Sequence, residues 1–265
     1  MVQYQDFVFK GKELTLVNIA DVHFGNLNCD VDMVEHVIKY IKDHDCVWIG
    51  GGDYSDAIVP NDKRFDYSTI NPKFQTPQLQ YREVQNWFKP IANKCLGLLD
   101  GNHDIIHWKK NVHNYVWEMC ENLSVPYLTI DAYIRLHFEK MNTDFNIYEH
   151  HGWTGSRTAG SRVMRLADLY NVFPMLNLYI MNHVHALGLV EKKTSLYIGE
   201  DHQIHDKISH FLFGGSFLRG YQLNQTSYVE EKTYVPTTLG SPILHITPQS
   251  GKHGVNFKIV YEEIR

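Results

Sequence analysis

Ten side chains of the kinds that bind divalent metals or move protons sit just past five short apolar runs. They are Asp21 and His23 in "ADVHF", Asp53 in "GGGD", Asn102, His103 and Asp104 in "GNHD", His150 and His151 in "EHHG", and His183 and His185 in "NHVH". Carboxylate, imidazole and amide oxygen together suit Mn, Fe or Zn better than Ca or Mg, which prefer shells of oxygen alone. One aspartate can bridge two cations through its two oxygens. Two cations roughly 3.5–4 Å apart form a clamp for in-line displacement at phosphorus, with a bridging water as nucleophile. His103 beside Asp104 has the make-up of a general acid with an orienting carboxylate. Any one of these motifs is commonplace in unrelated chains. All five in order, each closing an apolar run, form a pattern that calls for a common cause.

The elements that must carry these residues follow from periodicity and punctuation. Leu14 to Ile19 is β-branched and apolar and reads as a strand. Met33, Val34, Val37, Ile38 and Ile41 recur at helical spacing, with acids early and Lys39 and Lys42 late, as the helix dipole favours. "CVWIGGGD" is a second strand, and the Asp-, Asn- and Pro-rich segment from Tyr54 to Gln75 is a long surface loop. Thr76-Pro77 opens a helix through Trp87 and Phe88. "KCLGLLDGNHD" is the third strand and "HWKKNVHNYVWEMCENL" a single helix; "DFNIYEHHG" is the fourth strand, Gly160 to Asn171 a helix, and "LNLYIMNHVHA" the fifth strand. Beyond Leu187 the chain turns to short β runs, with a hairpin around Ser250 to Gly254. Alternating β and α followed by β predicts packed sheets with outer helices. Strand carboxyl ends form the ligand crevice of open α/β sheets, so the ten residues should converge. Asp21 and His23, and likewise His183 and His185, are two apart and would point the same way in extended backbone.

The 265 residues are 43% hydrophobic and 21% charged, which fits one domain over 1–265, with the motifs in 1–186 and a β-rich completion of the second sheet in 187–265. A net charge of -5 argues against an extended footprint on duplex nucleic acid, and leaves a nucleotide or short strand open. Cys29, Cys46, Cys95 and Cys120 form no CxxC pair, which argues against a disulfide framework and fits a reducing cytoplasm. No basic-then-apolar leader and no run of membrane-spanning length is present, so a cytoplasmic protein with no membrane partner is expected.

The series D-x-H, GD, GNHD, a His before Gly, and H-x-H resembles the calcineurin-like metallophosphoesterases. The resemblance implies an α/β fold of two packed β-sheets flanked by helices. It implies two divalent metal ions, Mn foremost, with Fe, Zn, Ni or Mg as other candidates. Asp21, His23, Asp53 and His185 match the ligands of the first metal; Asp53, Asn102, His150 or His151, and His183 match those of the second. His151, which directly precedes Gly152, is the closer match of the two. His103 matches the leaving-group acid and Asp104 its orienting partner. The implied activity is phosphoric ester hydrolysis by a metal-bridged hydroxide, with a phosphodiester or nucleic acid ahead of a phosphomonoester as substrate. A non-catalytic scaffold of the same fold is the minor alternative. The family's last motif reads G-H-x-H, and here Asn182 takes the place of the Gly. The loop "GWTGSRTAGSRVMR" offers Arg157 and Arg162 as phosphate contacts. The aromatics around Arg219 could stack a base or belong to the core. His202, His205, His210, His245 and His253 fit no ligand spacing.

Overall fold

A computed structural model describes residues 2–153, 155, 158–251 and 254–265. The strands are β1 (Gln3–Phe9), β2 (Leu14–Ile19), β3 (Val47–Gly50), β4 (Cys95–Leu98), β5 (Asp131–Phe138), β6 (Thr143–His150), β7 (Leu178–Met181), β8 (Leu187–Ile198), β9 (Ile204–Gly214), β10 (Ser241–Gly251) and β11 (Gly254–Ile264). The helices are α1 (Val31–Asp43), α2 (Pro77–Phe88), α3 (Asn102–Asn111), α4 (Tyr115–Leu123), α5 (Ala159–Asp168) and α6 (Tyr228–Glu231). Among the described residues one sheet runs β1-β5-β6-β7-β9-β8 and the other β11-β10-β2-β3-β4.

Strand side chains alternate between faces, and here the alternation sorts the core into layers. Leu14 and Leu16 of β2, Ile134 and Leu136 of β5, Phe145 and Ile147 of β6, Leu178 and Ile180 of β7, and Leu244 and Ile246 of β10 form one buried cluster between the sheets. The opposite face of the β2 sheet gives Val17, Ile19, Trp48 and Ile243, which pack under Val34, Val37 and Ile41 of α1, Val84 and Phe88 of α2, and Met119 of α4. The outer face of the β6 sheet gives Tyr148, Tyr179, Met181 and Phe211, covered by Leu166 of α5 and by Leu169. Two packed sheets flanked by helices are the result, as the β-α alternation and the resemblance implied. No helix among the described residues is long and apolar enough to cross a membrane.

Three elements differ from the sequence expectation. The single helix expected from "HWKKNVHNYVWEMCENL" is two: Val112 turns left-handed (φ 59°), and Asn114 caps α4 by accepting from Trp117 N–H. β1 and β5 were not anticipated. They pair in parallel across more than a hundred residues of chain, and the half-exposed edge sequence of β1, "QYQDFVF", carries little apolar signal. The tail expected to complete one sheet feeds both, with β8 and β9 in the first and β10 and β11 in the second.

Candidate metal centre

The two sheets bring their ligand-bearing edges together. β2, β3 and β4 run parallel and end beside one another. β6 and β7 do the same in the facing sheet. The segments that follow these five strands carry Asp21 and His23, Asp53, Asn102 and His103 at the start of α3, His151, and His183 and His185.

Asp21, His23, Asp53 and His151 are buried. Ligand atoms of Asp21, His23 and His185 lie within 4.8 Å of one another, as do those of His23, Asp53 and His103, and those of Asp53, His151 and His183. His23 Nε2 and His185 Nε2 are 3.1 Å apart, and His185 Nε2 is 3.9 Å from Asp21 Oδ1. Asp53 Oδ2 is 3.9 Å from His23 Nε2 on one side and 3.4 Å from His151 Nε2 on the other. Asp53 Oδ1 accepts from His103 N–H at 2.8 Å. Asp53 Oδ2 is thus the oxygen of this carboxylate that faces both histidines.

Several observations fit a pair of cations. Asp21 Oδ1 is buried with no hydrogen-bond partner. Two imidazole nitrogens lie 3.1 Å from each other beside it. The Asn102 amide sits 2.7 Å from His183 Nδ1, 3.3 Å from His151 Nε2 and 3.2 Å from Asp53 Oδ2. Turned with its NH2 inward, its two N–H groups are shared among these neighbours in the metal-free protein, and its oxygen accepts from Arg64 Nη1 at 3.1 Å. Turned with its oxygen inward it adds another lone pair to a point already surrounded by them, which a cation would satisfy. The donor set of carboxylate, imidazole and amide suits Mn, Fe or Zn.

Hydrogen bonds fix which ring nitrogens face the centre. His151 Nδ1 bonds Gly51 O at 2.7 Å, so Nε2 is the nitrogen that faces the centre. His23 Nδ1 is 3.4 Å from Asp56 Oδ1. Burial works to neutralise both His151 and His23, but the facing aspartates outweigh it and raise them, His151 to about 10. Burial pushes Asp21 up to about 7, and it pushes His183 down to about 4, helped by His151. Burial also works to raise Asp53, yet His151 and His103 hold it well below the usual carboxylate range.

Of the two adjacent histidines only His151 joins the cluster. His150 turns the other way: its Nδ1 accepts from Gly152 N–H at 2.7 Å, and its ring packs edge-on against Trp153. Asp104 does not orient His103. Its Oδ2 accepts from Asp53 N–H and Gly101 N–H, both at 2.7 Å, and its Oδ1 accepts from Tyr81 O–H. Asp104 thus ties the Asp53 turn to the start of α3. The carboxylate near His103 is Asp56, whose backbone oxygen accepts from His103 Nδ1 at 2.6 Å and whose Oδ1 lies 3.7 Å from the same nitrogen. The sequence carried a signal for it, an acid three residues past Asp53 in "GGDYSD". Arg64 had none, since it lies in the irregular loop. Asp62 grips its Nε (3.1 Å) and Nη2 (2.8 Å), leaving Nη1 at Asn102. Arg162 is half-buried on α5, and Arg157 lies outside the described residues.

The extended backbone expected for the D-x-H and H-x-H pairs is absent. Asp21, His23, Asp53, His183 and His185 all adopt left-handed φ, between 50° and 68°. Non-glycine residues rarely do so, and such outliers gather at functional sites.

No family model matches the sequence, and no curated protein matches it. Solved structures that align with the chain include a single mutant of Vps29 from Entamoeba histolytica, at 13% identity and a TM-score of 0.46, covering 94% of this chain and 99% of the other. Vacuolar Protein Sorting 29 from Cryptosporidium parvum aligns at 11% identity and a TM-score of 0.45, covering 96% and 100%. GAP50, the anchor in the inner membrane complex of Plasmodium, aligns at 10% and 0.45, covering 96% and 89%.

Proposed function

We propose that the chain is a calcineurin-like metallophosphoesterase, a single-domain hydrolase of phosphate esters that uses two divalent cations, Mn foremost, and prefers diesters to monoesters. The observation that carries this reading is Asp53 Oδ2, set between the Asp21-His23-His185 cluster and the His151-His183 cluster. Cations bound there supply Lewis acidity and an activated water. The chain's own residues do the rest. His103 is held by its Nδ1 on Asp56 O, so Nε2 is the nitrogen that faces the leaving oxygen and, when the ring is protonated, gives it the proton. Burial lowers its proton affinity, while Asp53 and Asp56 push the other way. Arg64, braced by Asp62, presents Nη1 next to Asn102, where it can hold one non-bridging phosphate oxygen. One such guanidinium matches the single charge of a diester. The four free cysteines support a reducing compartment such as the cytoplasm.

The test is hydrolysis of bis-para-nitrophenyl phosphate and para-nitrophenyl phosphate by metal-stripped protein reloaded with Mn. Turnover should need Mn and favour the diester. Asp53→Asn should abolish it, and His103→Ala should reduce it about 10²–10⁴-fold while Mn still binds. Two equivalents of bound Mn with no turnover of either ester would replace the hydrolase by the scaffold reading.

A further inference from the structure

The β8–β9 hairpin runs on past the sheet that carries it. β7 meets β9 only from His210 to Phe213, so Ile204 to Ser209 and the stretch of β8 opposite, Lys193 to Ile198, have only each other as ladder partners among the described residues. Gly199 N–H bonds Gln203 O at 3.0 Å and carries the ladder up to the turn. β7 ends at the metal centre and β9 runs parallel to it, so the projecting start of β9 lies at the other end of the sheet.

On this projection the usual alternation is reversed. Lys193 and Ser195 face the body of the protein, where the Tyr170 and Ser195 hydroxyl oxygens are 2.7 Å apart and Lys193 Nζ lies 3.5 Å over the Tyr170 ring. The opposite face carries Leu196 (69% exposed), Ile198 (66%), Ile204 (67%) and Ile208 (45%). Ile198 sits opposite Ile204, and Thr194 opposite Ile208. A slip of one residue would turn the apolar set inward, but the pairing and the Tyr170 contacts fix the register. β8 is also the last strand of its sheet, so along one side it presents backbone groups with no strand beside them among the described residues. An unpaired edge and a cluster of apolar side chains in water, on the same few residues, are the features of a strand that pairs with another chain.

The sequence of this edge is complementary to itself. Two β8 strands set antiparallel about a two-fold axis at Leu196 place Leu196 against Leu196 of the second copy, Thr194 against its Ile198, and Lys192 against its Glu200. Lys192 and Glu200 are both exposed, and the two-fold makes their ion pair twice. The neighbouring registers that keep like faces together put Lys192 against Ile198 or His202 of the second copy and lose both ion pairs. In the favoured register Ile204 and Ile198 continue in one row into Thr194 and Ile208 of the second copy, so apolar flanks that now meet water meet each other.

We propose that two copies of this chain join through β8, antiparallel about Leu196, into one continuous sheet with the two metal centres at opposite ends of the pair. The proposal is independent of the phosphoesterase reading.

The experiment is sedimentation equilibrium on the full chain up to about 200 µM, because a seam of this length lies at the small end of specific interfaces and should dissociate at roughly 10–100 µM. Lys192→Glu and Glu200→Lys each set like charges opposite one another twice, and each should weaken the dimer about tenfold. The double variant, Lys192→Glu with Glu200→Lys, should restore the wild-type constant within about threefold. Under mild oxidation Leu196→Cys should form a covalent dimer that wild type and Val190→Cys do not. A monomer at every concentration would overturn the proposal. So would a dimer that neither charge reversal weakens, a double variant that does not recover, or Leu196→Cys that cross-links no better than Val190→Cys.

Discussion

Asn182→Ala should destabilise this protein by about 2–6 kcal/mol, and the reason lies in a polar layer under the metal centre. The inward faces of the strands continue the same alternation past the apolar core: Leu14 and Leu16 lead to Asn18, Phe145 and Ile147 to Glu149, Leu178 and Ile180 to Asn182, and Leu212 to Gly214. Asn182 joins the two sheets there. Its Oδ1 accepts from Asn18 Nδ2 at 2.8 Å, and its Nδ2 donates to Glu149 Oε1 at 2.9 Å. All three side chains are 2% exposed or less. Space for the amide exists because two neighbours are glycines: a Cβ on Gly51 would meet Asn182 Nδ2 at 2.2 Å, and one on Gly214 would meet its Oδ1 at 1.7 Å. Truncation leaves a buried donor and a buried acceptor bare, at about 1–3 kcal/mol each, with no side chain on Gly51 or Gly214 to move in. Urea unfolding of the metal-free protein, followed by tryptophan fluorescence, measures it. The loss should be larger at pH 8 than at pH 6, because Glu149, pushed up to about 7 by burial, is then ionised. A loss below about 1 kcal/mol at both pH values, or no coupling to Glu149→Gln in a double-mutant cycle, would refute the reasoning.

Three further outcomes follow from the same geometry. Mn at a hundred times its dissociation constant should stabilise the wild type by about 2.7 kcal/mol per independent site; in Asp53→Asn, calorimetric titration should find fewer than two equivalents bound. Arg64→Ala should raise KM for the diester about tenfold or more, and Arg64→Lys should recover only part of it, because the fork held by Asp62 is lost; unchanged KM removes Arg64 from the substrate contact. Glu149 has a folded pKa raised from 4.5 to about 7, so it favours the fold below pH 4.5 and that contribution is lost as pH rises through 7. The span is about 3 kcal/mol, and Glu149→Gln should flatten the unfolding free energy of the metal-free protein over this window relative to wild type.

The layer order and the gathering of candidate ligands at the strand ends were legible in the sequence because both are written locally. Each apolar run ends where a metal-type residue begins, and strand-end placement gathers such residues whatever the loops do. The polar layer was not legible. Asn182 reads as a departure from a family pattern until Asn18, Glu149, Gly51 and Gly214 are seen around it, and those five come from five separate segments. His150 and His151 are equivalent as letters; only the pairing of β6 with β5 and β7 decides which one turns inward. Asp104 misled because adjacency to His103 suggested contact, whereas at the third position of α3 its carboxylate reaches back to the backbone at the helix start, as N3 acids do. Arg64 is beyond any local reading, since its position depends on the course of an irregular loop from Tyr54 to Gln75.

The left-handed ligands show why the second layer of contacts matters as much as the first. Each such residue costs about 1–3 kcal/mol of backbone strain and persists only where its surroundings over-determine it. Here the ligand loops hold one another. Asp21 N–H bonds Gly52 O and His23 N–H bonds Asp53 O, both at 3.0 Å. His183 N–H bonds Asp21 Oδ2 at 2.8 Å, joining the two sheets at the centre itself. Asp104 closes the set by holding Asp53 N–H and Gly101 N–H together. The strain is thus distributed over contacts between neighbouring loops of the β2-β3-β4 sheet and, through His183 and Asp21, between the two sheets. The pairing of D-x-H with H-x-H is therefore a tertiary fact expressed in two short motifs. Their spacing of two residues serves a left-handed turn, where successive ligands are brought round to one point, rather than the pleat of a strand.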